Sequence, residues 1–496
     1  MKHDLMLEVK AFRNTPLILL STLLAACTLS THSTAAVLGS NAPYEAEATS
    51  STLSGTAARL NCANCYGSKE VSRIGGNASN YVIINGVQAA AAGTYKVILN
   101  YAVHGTKTLF ISVNGGGGVS YSLTGVDALS PKFTKITLRL KAGSNTVKFY
   151  NNTSAAPNID RIVVDNKGTG AFGLLLNGQR DKLLWPFASD ALYNTSLGSG
   201  AVYQPAGIRN QGTSFDIDVD PIIMTPTAPS TALWNNYHGF DGRNRCTKNN
   251  PQWRSVPIPT NFLIPSDFGN SSSAIVLADG RTVAQQQPLA RCTVGGYATA
   301  QYPYDDVDIY GTDPTGAHGG SGLSGLGGTI RVGEFTSGVI HHPMNINLEA
   351  QKYYYCCAPH WPAVQVDGYA DPSSYGGTNP NLTPGSLLAL LPSFNVNSLT
   401  TTPGRILAQG FKDYGAYIVD DTLANSWAIQ AEIGPNGSVD DEFTLLYNQN
   451  IYTGSGAFYK DMVTIFQALH IVTNSGPNAI GGGGTRRVPL PPAIGN

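Results

Sequence analysis

The chain has 496 residues, of which 13% are charged, and 31 Lys and Arg against 32 Asp and Glu leave a formal net charge of −1. So even a balance excludes capture of a polyanion by bulk charge, and the lack of interleaved basic and aromatic clusters excludes a nucleic-acid binder. Gly is abundant (55) and Tyr leads the aromatics (24), the profile of a β-rich extracellular protein long enough for two domains.

Residues 1–36 read as a secretory signal. Lys2, Lys10 and Arg13 precede an apolar run, Pro16 to Ala26, that is too short to span a bilayer. Thr34-Ala35-Ala36 has the small-x-small form of a cleavage site and would release a soluble, secreted protein starting at Val37. Leu24-Ala25-Ala26-Cys27 has the form of a bacterial lipobox, and the alternative is a protein lipid-anchored at the cell surface through Cys27. Only then would a membrane be a partner. Of seven cysteines, removing Cys27 leaves an even number. Cys62 and Cys65 are close enough to clasp a small loop, Cys246 can pair with Cys292, and the pairing of the adjacent Cys356 and Cys357 stays open. A metal reading of Cys62-x-x-Cys65 lacks a second ligand pair, so an oxidised extracellular protein is the plainer one.

Residues 37–166 hold short alternating apolar runs between Gly, Asn and Ser turns. Val82-Ile83-Ile84, Gly93 to Leu99, Leu109 to Val113, Ile136 to Leu140, Thr146 to Phe149 and Ile159 to Val164 all read as strands of an antiparallel sandwich. If first and last strands pair, Glu45, Glu47 and Asp160 meet, and three carboxylates together repel unless a cation lies among them; oxygen ligands of this kind suit Ca²⁺. The competing reading is that alternation points them to solvent.

Several pieces in order carry a resemblance: the Tyr44-Glu45-Ala46-Glu47-Ala48 start, Cys62-Ala63-Asn64-Cys65 followed by Gly75-Gly76, Ala92-Gly93-Thr94-Tyr95, Ser112-Val113-Asn114-Gly115, Leu140 to Thr146, and Asn158-Ile159-Asp160-Arg161-Ile162. The stretch resembles a carbohydrate-binding module of family 35, close to the version appended to secreted α-galactosidases, and the resemblance covers about a quarter of the chain. It implies a galactose-binding-like jelly-roll sandwich, a structural Ca²⁺ on Glu45, Glu47 and Asp160, and a sugar site in the loops at one end. Candidates by position are Arg73, Asn77, Tyr150, Asn151 and Asn152, against the plainer reading of turn-forming Asn and a half-buried Tyr. The glycan is a polysaccharide or oligosaccharide, galactose-containing or uronic-acid-containing.

A linker is expected at 167–175, a second β-rich domain of sandwich or jelly-roll type at 176–480, and a loose Gly- and Pro-rich tail at 481–496. The fold class is all-β with a few helices. Strands are expected at Phe215 to Pro221, Ser273 to Leu277, Gly328 to Val332, Ala416 to Val419 and Trp427 to Gln430. One helix is expected with Thr402 as its N-cap and Pro403 in its first turn, with Leu407, Phe411 and Tyr414 on one face, and another carries Met462, Ile465, Phe466 and Leu469. Through Gly327-Gly328-x-Ile330-Arg331, Gly338-x-Ile340-His341 and Lys412-x-Tyr414-Gly415-x-Tyr417 this part resembles secreted bacterial proteins of unassigned function.

Chemistry is sought in its acids and histidines. Asp216, Asp218 and Asp220 alternate on one strand face, a layout that sets one carboxylic acid beside an ionised partner, and the strand is similar to the acidic strand of jelly-roll glucanases with Asp in place of Glu. Asp305 and Asp308, then His318, Glu334 and His341, complete the candidate set; a His near Tyr353 to Tyr355 would instead suit proton abstraction by a lyase. For each residue a structural role competes. The functional expectation is a secreted polysaccharide-degrading enzyme, hydrolase ahead of lyase, held on its glycan by the first domain. The alternative is a non-catalytic glycan-binding or surface protein.

Overall fold

The computed structural model describes residues 41–62, 65, 69–89, 92–128, 131–165, 173, 179–209, 214–240, 244–264, 269–422 and 425–495. The expected signal, Cys27, and all of the expected linker except Gly173 lie outside the described residues.

The first domain is built of β1 (Asn41–Glu45), β2 (Thr52–Ser54), β3 (Ala58–Asn61), β4 (Lys69–Ser72), β5 (Tyr81–Ala89), β6 (Gly93–Ala102), β7 (Gly105–Val113), β8 (Val119–Gly125), β9 (Lys132–Leu140), β10 (Gly143–Tyr150) and β11 (Asn158–Asp165). They form two antiparallel sheets, β3-β4-β11-β6-β9 with β1 also on β11, and β2-β5-β10-β7-β8. Alternation sets the core. Val97, Leu99 and Ile162 from one sheet meet Val82, Ile84, Ile111 and Phe149 from the other, each fully buried side chain contributing roughly 1.5–3 kcal/mol. The turn before β10 is fixed by Asn145, whose Oδ1 accepts from Lys141 N and whose Nδ2 donates to Val87 O. Cys62 is bonded to Cys65, and further along the chain Cys246 to Cys292 and Cys356 to Cys357.

The second domain is β-rich with a few helices, and its centre is a twelve-stranded sheet. Strand Ser214–Ile223 runs parallel to both Ser273–Val276 and Ser426–Gly434, and Met344–Leu348 runs parallel to Ala416–Asp421. Parallel neighbours of this kind depart from the antiparallel jelly roll expected here. Helices Thr402–Asp413, Val439–Tyr447 and Gly456–Gln467 cover one face. Phe215, Trp427, Ile429, Ile346, Ile418, Phe411, Met462 and Phe466 pack together there, with the Trp427 and Phe466 rings stacked at 4.9 Å. The first helix is capped by Thr401, whose side chain accepts from Gly404 N, one residue before the expected cap.

Two expected features are corrected. Gly328 to Val332 forms turns and a single bridge from Ile330 to Ala431 rather than a strand, because Arg331 is drawn to Glu432 at 2.8 Å. The expected loose tail is tied down: Arg487 N donates to Leu197 O, Val488 N to Ser196 Oγ and Gly495 N to Arg180 O.

The two domains pack directly. Ile98 and Val163, on the outer face of the first sheet, bury against Leu445. Arg161 pairs with Asp441 at 2.8 Å, both sealed from water, and Lys135 Nζ donates to Leu445 O.

Candidate functional site

β1 pairs with β11 so that Glu45 lies opposite Arg161, which brings Glu45 and Glu47 to Asp160. One carboxylate oxygen from each of the three lies within 4.8 Å of the others. Glu45 Oε2 and Glu47 Oε2 are closed to solvent and have no hydrogen-bond partner among the described residues. Burial pushes the Glu45 carboxyl up to about 7, with Arg161 pulling it back. Glu47 is pushed up to about 9 by burial and by the adjacent Glu45 and Asp160. Three hard oxygen donors of this geometry fit a Ca²⁺-sized cation. Cys62, Cys65 and Glu70 also converge, but the disulfide removes both thiolates as ligands.

In the second domain a polar row crosses four adjacent strands on the face away from the helices. Asp218 lies opposite Gln430, and Asn347 lies opposite Asp420. Gln430 Nε2 donates to Asn347 Oδ1 at 2.8 Å, and Asn347 Nδ2 donates to Asp218 Oδ2 at 3.1 Å. Above the row, Asn270 Nδ2 bridges the two acids, 3.4 Å from Asp218 Oδ2 and 3.0 Å from Asp420 Oδ2. Asp420 reaches this face through a bulge: the register slips between Ile346 and Asn347, leaving Val419 without a partner and re-aiming the next side chain.

Around the row stand Asp367, which accepts from Tyr375 Oη at 2.6 Å, and Asp421, which accepts from Tyr369 Oη at 3.0 Å. A Cβ on Gly320 would come 2.7 Å from Asp420 Oδ1 and 3.1 Å from Asp367 Oδ2, so only glycine lets the backbone pass there. Burial, then the nearby Asp367 and Asp218, raises the Asp420 carboxyl well above the usual range. Tyr304 is pushed up to about 12, mainly by burial and by Asp420. The arrangement sets the buried Asp420 carboxyl, its proton affinity raised, beside the half-buried carboxyl of Asp218, with Tyr369 46% exposed at the rim.

Comparison with known proteins bears on the first domain. The family model described as carbohydrate binding module (family 35) matches residues 43–165. A family 35 module from Clostridium thermocellum is 34% identical, covering 25% of this chain and 97% of its own, at a TM-score of 0.24. Through these residues the chain belongs to family 35 of the carbohydrate-binding modules. The family 35 module of Paenibacillus barcinonensis is 28% identical over 25% of this chain and 96% of that one, at a TM-score of 0.23. An exo-β-1,3-galactanase from Phanerochaete chrysosporium, solved with β-1,3-galactotriose, is 27% identical at a TM-score of 0.24. There the match covers 25% of this chain and only 29% of the galactanase. No curated protein matches the chain.

In the family 35 module the two loops expected to hold sugar do meet: Gly75 bridges to Ala155, and Gly76 N donates to Ser154 O. Arg73, in a left-handed conformation (φ 58°), Asn77 and Asn152 are exposed there. Asn151 is spent on the fold, its Nδ2 donating to Thr108 O and its Oδ1 accepting from Thr153 N and Ser154 N. Tyr150 lies on the outer face of its sheet, stacked on Phe110 at 5.7 Å.

The catalytic candidates read from the sequence divide sharply. Asp218 is in the polar row and Asp216 is exposed at its edge. Asp220 and His318 are brought together but sealed, at 3.4 Å, and Asp220 also accepts from Thr329 Oγ1. Burial pushes Asp220 up to about 6. Glu334 is buried against His342 at 3.1 Å, which outweighs burial and holds the carboxyl below its usual range. His341 stacks on Trp185 at 4.6 Å beside a void of about 20 Å³, room for a single water. Asp308 pairs with Arg281 on the surface, and Asp305 is exposed on the same loop. Asp220, His318, Glu334, His341, Asp305 and Asp308 therefore sit outside the row. Sequence reasoning missed Asp420, Asp367, Asn347, Gln430 and Asn270; the available signal was a polar residue interrupting otherwise apolar strands, as in Met344-Asn345-Ile346-Asn347-Leu348.

Proposed function

We propose that the protein is an exported glycoside hydrolase that acts on a polysaccharide held by its family 35 module. One observation carries this reading: Asp218 and Asp420 flank a bridging amide, and burial, with the nearby Asp367 and Asp218, raises the Asp420 carboxyl above its usual range. Glycosidic cleavage needs an acid to protonate the leaving oxygen and a second carboxylate to activate water or attack the anomeric carbon. Asp420 supplies the proton and Asp218 the carboxylate, while Asn270, Asn347 and Gln430 hold Asp218 in place. Tyr369 offers its ring to a sugar face.

The same reading gives the module a structural Ca²⁺ on Glu45, Glu47 and Asp160, supported by the two carboxylate oxygens that lack a donor. The ion would neutralise the cluster and lock β1 to β11; the hydrolytic step is assigned to the second domain.

The test is incubation of the full chain with neutral and uronic-acid polysaccharides, following reducing ends and the ultraviolet absorbance of unsaturated uronates. New reducing ends alone, lost in Asp420→Asn and Asp218→Asn, are expected. Both signals together would replace hydrolysis by β-elimination, and silence across the panel would leave a non-catalytic glycan-binding protein.

A further inference from the structure

The two domains enclose a groove outside both sites described above. On β6 the inward residues Val97, Leu99 and Tyr101 belong to the module core, so Ile98 and Asn100 face the second domain. Ile98 closes against Leu445. Next to it the surfaces part, leaving a groove of about 530 Å³ lined from both domains, within the roughly 300–1,000 Å³ range of small-molecule sites.

Asn100 is one of its lining residues, opposite Phe133 of β9 on one side and Arg161 of β11 on the other. The Arg161 guanidinium is engaged by Asp441. Asn100 is only 8% exposed, and its Oδ1 is buried with no hydrogen-bond partner among the described residues. A buried acceptor left unmet is unfavourable, and a donor from outside the chain would satisfy it. The walls carry two rings that a solvated surface would not favour, Phe133 at 39% and Tyr452 at 49% exposure. Asp440 and Asn450 supply further polar atoms, and Lys132 stands at the edge. Thr453 bridges to Phe215, so the Tyr452 wall lies beside the strand that carries Asp218.

An unmet acceptor and a carboxyl group call for hydroxyl donors, and open rings call for the apolar face of a pyranose. The acids Asp440 and Asp441 disfavour a uronate. We propose that this groove is a second glycan-binding subsite, held jointly by the module and the second domain, for a segment of neutral polysaccharide. It requires no catalytic step and does not use the Arg73 and Asn77 loop.

The experiment is to soak crystals of the full chain with cellotriose, xylotriose, mannotriose and β-1,3-galactotriose in turn, with glucuronic acid as the anionic control. A neutral pyranose donating a hydroxyl to Asn100 Oδ1 and resting on Phe133 or Tyr452 is expected. Water alone at that oxygen with every neutral probe, or occupation by glucuronic acid only, would overturn the proposal. In affinity gels, Tyr452→Ala and Phe133→Ala, both at exposed rings, should bind a retarding neutral polysaccharide about three- to tenfold more weakly, the scale of one aromatic contact. Unchanged retardation, or no neutral polysaccharide that retards the parent chain, would overturn it as well. Loss of hydrolysis in Asp420→Asn with gel binding intact keeps this outcome separate from that of the hydrolase reading.

Discussion

In the module, Glu45 and Glu47 meet Asp160 with two of their oxygens lacking any donor among the described residues, whereas in the second domain Asp218, Asp367 and Asp420 are each met by an amide or phenol. Buried carboxylate oxygens without donors are tolerated only when protonated or when a cation lies against them. A cluster supplied with donors can be tuned group by group, so that one member keeps its proton while its neighbour stays exposed to a reactant.

The sharpest way to break that comparison is Asp420→Asn. Under the hydrolase reading, loss of this general acid should lower reducing-end release by about 10²–10⁴-fold, with the melting temperature and glycan binding by the module preserved. An active variant would remove the second half of the contrast. Next in size is Asp220→Ala, which strands the sealed His318 and Thr329 Oγ1. Leaving the buried Thr329 hydroxyl without its acceptor costs about 1–3 kcal/mol, read from the denaturant midpoint, while activity per folded molecule is unchanged.

Chelation tests the module half. Stripping a cation held at a hundredfold excess over its dissociation constant removes about 2.7 kcal/mol, seen as a lower melting temperature. The metal-free chain should also show a distinctive pH slope. The folded Glu45 and Glu47 carboxyls titrate at about 7 and about 9 against 4.5 when unfolded, so the folded state holds protons the unfolded state has lost. Stability is therefore full below pH 4.5 and falls as pH rises through about 7 and about 9, a slope that cation loading should abolish. An unchanged melt in EDTA, with no metal in elemental analysis, would dismiss the cation. The smallest effect is expected at Arg281→Ala, whose exposed partner Asp308 is screened by water; melting temperature and activity should both stay put.

The module was legible because its rules are local. Val97, Leu99 and Tyr101 alternate inward, Gly and Asn mark the turns, and pairing of the first and last strands carries Glu45 to Asp160. Helices Thr402–Asp413 and Gly456–Gln467 were legible from their apolar stripes. The polar row was not. Counting by twos from Ala416 and Ile418, both in the helix-side core, puts Asp420 on that same side, and only the bulge at Val419 turns it over. Asn347 and Gln430 carry no charge to draw notice, and Asn270 arrives from a loop no period describes. Conversely, Glu334 and His341 look catalytic in the sequence because burial and pairing cannot be read there.

The Arg161–Asp441 contact and the Ile98, Val163 and Leu445 cluster have a mechanical meaning. A module on a slack tether lets its enzyme graze anywhere within the tether's radius. A module bolted to the body acts as a gauge block, so that the sugar it grips stands a constant number of units from the bond beneath Asp420. Under the hydrolase reading, product lengths should then be quantised, and loosening the bolt with Asp441→Ala should blur them.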